Sequence, residues 1–182
     1  MSKARNSKET LLACASRHRA FSLIELVIVV VIIGIIAAIA IPRMSRGSSG
    51  AADSAVAQDL ALLRNAVDMY QSEHNGAYPA PSGKIAVPDL LLNYSDQYGQ
   101  NIAPTKDTSA KQIIYGPYLR SIPAISAGPN KGCNGIAVST TSGVAPAGGP
   151  GIGWLYNSVD GTFQPYTGTV TTDSLGKLYS SY

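Results

Sequence analysis

One carboxylate stands inside an otherwise apolar segment near the N-terminus. From Leu26 to Ile41 every residue is apolar or glycine, and the segment extends back to Phe21 with only Ser22 and Glu25 as polar interruptions. A carboxylate costs about 2.5–3.5 kcal/mol at the centre of a bilayer and less near its surface, so such a residue usually has a function. Glu25 therefore indicates a segment that must meet a partner amine, because neither a plain anchor nor a signal peptide benefits from this cost.

Residues able to catalyse a reaction or to bind a metal are scarce in the rest of the chain. His74 is the only histidine after residue 20, and the two cysteines are Cys14 and Cys133. These residues cannot form a catalytic triad, a disulfide framework or a cysteine-type zinc site. The glycine-rich stretch 148–153 lacks the Lys-Ser/Thr pair of a phosphate-binding loop. The sequence therefore predicts a protein that is not an enzyme.

The positive charge of the chain is concentrated at its start. The 182 residues carry a formal net charge of +3, but residues 1–20 hold five basic side chains against one acidic one. Residues 21–182 hold the other nine basic and ten acidic side chains, so this part is close to neutral. A nucleic-acid-binding surface needs many phosphate-neutralising side chains, and we expect no nucleic-acid partner.

The apolar segment has the length of a membrane span. As a helix, residues 21–41 extend about 31 Å, close to the hydrocarbon thickness of a bilayer. The basic residues before it predict a cytoplasmic N-terminus and export of the residues after Pro42. Such a segment has three possible uses: a signal peptide cut after Ala40, a permanent anchor, or a helix that assembles with other helices. Glu25 favours the third.

The residues around Glu25 resemble a known junction. Ala20-Phe21-Ser22-Leu23-Ile24-Glu25-Leu26, after a basic leader and before an aliphatic run, is similar to the leader junction of type IV pilins and type II secretion pseudopilins. The resemblance implies cleavage between Ala20 and Phe21 by a prepilin peptidase, N-methylation of Phe21, and a helix kink at Pro42. One departure is Ala20, because the family usually has glycine there.

The resemblance also implies a function. It predicts a structural subunit of a type II secretion pseudopilus or a related type IV pilus-like filament, involved in protein secretion. Its partners would be copies of itself, other pilin-like subunits, the prepilin peptidase, an inner-membrane assembly platform and, before assembly, membrane lipid. Glu25 would set the register by pairing with the Phe21 amine of a neighbouring subunit. The alternative is a soluble periplasmic binding module released by signal peptidase after Ala40.

The pattern downstream predicts an α+β domain. The apolar residues from Ala52 to Tyr70 recur every three or four positions, which indicates an amphipathic helix that ends at Asn75-Gly76. Further on, β-branched and aromatic stretches predict a strand over 135–140 and a hairpin over 153–166. We expect a long hydrophobic helix continuing into an amphipathic helix that packs on a small antiparallel sheet, as in pilins.

These patterns divide the chain into four parts. The predicted parts are a cleaved basic leader, an assembly helix, a kink with an amphipathic helix, and a loop region with a small sheet: 1–20, 21–41, 42–76 and 77–182.

We expect no cofactor in this domain. Many pseudopilins of the G type, which the chain resembles, bind calcium in an acidic C-terminal loop. Beyond residue 110 this chain has only Asp160 and Asp173, whereas calcium takes six to eight oxygen ligands, several of them from carboxylates.

Overall fold

The computed structural model describes residues 21–168 and 172–182. The predicted leader, residues 1–20 with Ala20, lies outside the described residues. The chain divides into two compact units, Met1–Pro42 and Arg43–Tyr182.

The first element is α1, which extends over Leu23–Glu73 and contributes residues to both units. The helix assignment continues through Pro42, so the backbone is not broken there. The kink at Pro42 remains a prediction. In the second unit, α1 buries Val56, Leu60 and Leu63 as its spacing predicted.

The end of α1 is determined by the two residues Asn75 and Gly76. Both have positive φ, at 55° and 81°. The amide of Gly76 donates to the backbone oxygen of Gln71 at 2.9 Å, which is the six-to-one bond of a Schellman cap. The predicted stop at Asn75-Gly76 is therefore confirmed.

Three small elements come next, in the part predicted as a loop region with a small sheet. The helix α2 covers Val87–Leu92. Strands β1 (Tyr94–Ser95) and β2 (Ile102–Ala103) form an antiparallel pair that the sequence did not predict. A two-residue strand is too short to show an alternating pattern, which explains the omission.

The main sheet has three strands in the order β3-β4-β5. They are β3 (Gly135–Ser139), β4 (Ile152–Asn157) and β5 (Phe163–Pro165). The predicted hairpin is confirmed as the antiparallel pair of β4 and β5, with Pro165 on an edge strand.

The sheet is mixed, whereas the sequence predicted a wholly antiparallel one. Strand β3 runs parallel to β4, with Ile136 opposite Trp154. A parallel pair needs a connection of about a dozen residues or more to return the chain, and the loop 140–151 is long enough for this. The α+β class is confirmed.

The core of the second unit lies between α1 and this sheet. Trp154, Tyr156 and Phe163 of the sheet are completely buried. Trp154 also donates from Nε1 to the backbone oxygen of Pro123 at 2.8 Å, so its one polar atom is satisfied. Tyr70 and Tyr179 of this unit are also buried.

Candidate functional site

The cleavage junction lies directly before the helix. Phe21 and Ser22 have no helical assignment, and α1 begins at Leu23. The backbone oxygen of Ser22 accepts from the amides of Glu25 (3.1 Å) and Leu26 (3.3 Å), so the first turn of the helix closes on Ser22. Phe21 is 77% exposed. The predicted scissile bond therefore borders non-helical backbone, although its other residue, Ala20, is outside the described part.

Glu25 occupies the first turn of α1 and is exposed. An acidic side chain is favourable at this position because the N-terminus of a helix carries a partial positive charge. Glu25 is four residues from Phe21, which lies just before the start of α1. Phe21 and Glu25, predicted together from the sequence, thus lie at the same end of the segment.

The rest of this segment offers an uncovered apolar surface. Residues Leu23–Ala40 have a mean hydropathy of 3.2, and none of this stretch is buried. It is long and apolar enough to cross a membrane. Among the described residues, no atom lies within 4 Å of the position that a side chain at Gly34 would take, so no contact with them requires a glycine there. A helix with this surface needs lipid or other helices around it.

The predicted alternative cut follows Ala38-Ile39-Ala40, and these three residues are helical. A protease generally needs extended backbone to bind a scissile bond. The bond after Ala40 lies in helical backbone.

In the second unit, the segment from residue 172 to Tyr182 is fastened to α1 by a group of hydrogen bonds that we call the C-terminal clasp. Asp53 Oδ2 accepts from the amide (2.9 Å) and the hydroxyl (2.6 Å) of Ser174, and Asp53 Oδ1 accepts from the Tyr179 hydroxyl. Arg64 donates to the backbone oxygens of Tyr182 (2.8 Å) and Phe163 (3.3 Å).

Two carboxylates of the C-terminal clasp are held in the charged state. Burial alone raises the pKa of Asp53, but the hydrogen bonds from Ser174 and Tyr179 outweigh it and bring the pKa below its ordinary value. The hydrogen bond from the Tyr182 hydroxyl, at 2.6 Å, lowers the pKa of Asp173. Asp53 lies three residues before buried Val56 and so shares the apolar face of α1. An acidic residue on that face is the sequence signal that could have indicated a buried partner for this carboxylate.

A buried histidine occupies the other end of this unit. His74 is 2% exposed and stacks on Tyr70 with ring centroids 3.6 Å apart. Its Nδ1 donates to the backbone oxygen of Tyr70 at 2.9 Å, and Nε2 accepts from Ser95 Oγ at 2.9 Å. The structure therefore places His74 among the buried residues of this unit.

His74 makes the stability of this unit depend on pH. Burial lowers the pKa of His74, although hydrogen bonding and the carboxylates of Glu73 and Asp96 partly oppose this. The unfolded state therefore takes up a proton first, and stability falls as the pH drops below about 6.5. We expect His74→Gln to flatten the profile of unfolding free energy between about pH 7 and pH 5, measured by urea titration. Parallel profiles for the two proteins would contradict this.

Among residues 21–168 and 172–182, no group of three or more His, Cys, Asp or Glu side chains could hold a metal ion.

Residues 15–41 match the family model described as the prokaryotic N-terminal methylation motif. This motif is the prepilin signature of type IV pilins and pseudopilins, and the chain carries it together with the apolar helix. Proteins with the motif are structural rather than enzymatic, and their processing is of the prepilin type. The motif, together with the one helix among the described residues that is long and apolar enough to cross a membrane, fits a membrane-anchored, single-pass protein. No curated protein and no solved structure matches the chain.

Proposed function

We propose that the chain is the precursor of a structural subunit of a type II secretion pseudopilus or a related type IV pilus-like filament. A prepilin peptidase cuts between Ala20 and Phe21 and methylates the new amine, so the mature subunit begins at Phe21. The observation that carries this proposal is the uncovered apolar helix with one acid in its first turn, which lies within the methylation motif of residues 15–41.

The pairing of charges gives the segment its role in assembly. Cleavage leaves a positive amine on Phe21, and methylation preserves that charge. In the membrane this amine lies one helical turn from Glu25 of the same subunit. In the filament, Glu25 of an arriving subunit binds the amine of a subunit already in place. A charge pair surrounded by aliphatic side chains is costly when one partner is missing, so it selects one axial register.

The remaining surface of the segment forms the filament core. Its aliphatic side chains pack helix against helix, and Gly34 allows a close approach between helices. Before assembly the same surface is covered by lipid of the inner membrane, with the N-terminus cytoplasmic and the residues after Pro42 outside. The subunit joins copies of itself and other pilin-like subunits on an inner-membrane platform that supplies the motor.

The mass of the processed protein tests this proposal. We expect the chain extracted from membranes to begin at Phe21 and to carry one added methyl group on its N-terminal amine. Intact-mass and N-terminal peptide spectrometry measure both features. Deleting the peptidase should leave the full precursor. A mature protein that begins at Ile41 and lies free in the periplasm would overturn the proposal in favour of release by signal peptidase.

A further inference from the structure

A cleft of about 350 Å³ lies beside the end of α1 in the second unit. Its volume falls in the range of about 300–1,000 Å³ that is usual for small-molecule sites. Its lining includes two tyrosines, Tyr78 and Tyr98, and three residues with amide side chains, Asn75, Gln97 and Gln100. Among the described residues, no aspartate, glutamate, lysine or arginine lines it. The cleft therefore combines aromatic faces with neutral hydrogen-bonding groups.

Tyr98 is held in an exposed position by a rigid turn. It is 73% exposed, although the nearby Asp96 is only 8% exposed. The Asp96 carboxylate accepts from the amide of Gln100 at 2.8 Å and from Nδ2 of Asn101 at 2.6 Å, and its amide donates to the Asn101 oxygen at 3.1 Å. The ring of Tyr98 is thus presented to solvent by a fixed backbone, which reduces the entropy that a ligand must remove.

The side-chain amides of Asn75 and Gln97 offer one hydrogen-bond donor and one acceptor side by side. Gln97 Nε2 donates to Asn75 Oδ1 at 3.0 Å, which fixes both side chains. In the part of the chain that the structure describes, the amide nitrogen of Asn75 and the side-chain oxygen of Gln97 have no protein partner. One free donor and one free acceptor side by side suit a hydroxyl group, which both accepts and donates.

We propose that this cleft binds a neutral oligosaccharide. A pyranose ring has an apolar face of C–H groups that stacks on an aromatic ring, and a rim of hydroxyl groups that bonds to amides. A cleft without charged side chains cannot compensate a phosphate, a metal ion or a charged peptide for the hydration that it loses on binding. A proline-rich peptide would use the aromatic faces but leave the paired amides of Asn75 and Gln97 mostly unused. The proposal does not depend on filament assembly.

Calorimetric titration of the mature chain in lipid nanodiscs tests this proposal. The nanodiscs contain no glycolipid and no sugar-based detergent, because either would compete for the cleft. The probes are cellohexaose, chitohexaose, mannohexaose and maltohexaose, with an uncharged proline-rich peptide as the fifth. We expect saturable binding of at least one saccharide, weakened at least about tenfold by Tyr98→Ala and clearly weakened by Gln97→Ala.

Two variants separate stacking at the cleft from a general loss of apolar surface. Tyr98→Phe keeps the ring and should retain binding. Leu175→Ala removes another strongly exposed side chain, 92% accessible and outside the cleft, and should leave the affinity unchanged. The proposal is overturned if no saccharide binds, if Tyr98→Ala binds as well as the wild-type chain, or if only the peptide binds.

Discussion

Replacing Glu25 with alanine is expected to abolish filament formation while cleavage before Phe21 continues. In the proposed filament, each Phe21 amine is buried among aliphatic side chains and is neutralised by the Glu25 carboxylate of a neighbour. Without that carboxylate the amine stays buried and unpaired, at a cost of about 3–5 kcal/mol for each subunit. Because every added subunit bears this cost, we expect the yield of filaments to fall below detection.

Shearing cells and quantifying the filament fraction measures this effect, and intact mass confirms that the variant is processed. Glu25→Gln removes the charge with little change of shape and should also fail. Asp68→Ala is the matched control, since it removes one carboxylate from an exposed position of the same helix in the second unit. Filaments of normal length and number from Glu25→Ala would show that the proposed registration is wrong.

The second large effect is expected at Asp53, where alanine should destabilise the second unit by about 3 kcal/mol. The substitution removes the acceptor for both polar groups of Ser174 and leaves the buried hydroxyl of Tyr179 without its partner. Hydrogen bonds to a charged group contribute about 1.5–3 kcal/mol each, and an unsatisfied buried group adds a penalty. A loss of this size corresponds to a fall of roughly 10 °C in the unfolding temperature.

Calorimetry or circular dichroism of the mature chain measures the loss. A double-mutant cycle of Asp53→Ala with Tyr179→Phe should give a non-additive result, because the two side chains share one hydrogen bond. The wild-type chain should also lose stability as the pH falls through the lowered pKa of Asp53, and Asp53→Ala should lose less. Asp68→Ala again serves as the control for loss of one charge. Additive effects of Asp53→Ala and Tyr179→Phe would contradict the role assigned to the C-terminal clasp.

The features that the sequence predicted well depend on local chemistry. The uniform apolarity of residues 26–41 indicates a helix that needs lipid or other helices around it. The spacing of Val56, Leu60 and Leu63 predicts the buried face of α1, and Asn75-Gly76 predicts its end. Each of these signals lies within a few turns of one helix, so no distant contact is needed to interpret it.

The features that were missed depend on residues far apart in the chain. Asp53 meets Ser174 and Tyr179 across more than a hundred residues, and no spacing rule connects them. The parallel pairing of β3 with β4 likewise depends on how the loop 140–151 returns, which the composition of that loop does not determine. His74 is buried because Ser95 and Tyr115 lie against it, and no spacing rule connects either residue with the end of α1.

The contact between Phe21 and Glu25 of different subunits can be measured directly. Filaments are assembled from an equal mixture of two preparations, one labelled with ¹⁵N at the Phe21 amine and the other with ¹³C at the Glu25 carboxyl. Solid-state NMR then detects nitrogen–carbon proximity only between subunits. We expect a transfer that corresponds to a separation of about 4 Å or less, as in an ion pair. Mature filaments in which this transfer is absent would contradict the proposed pairing.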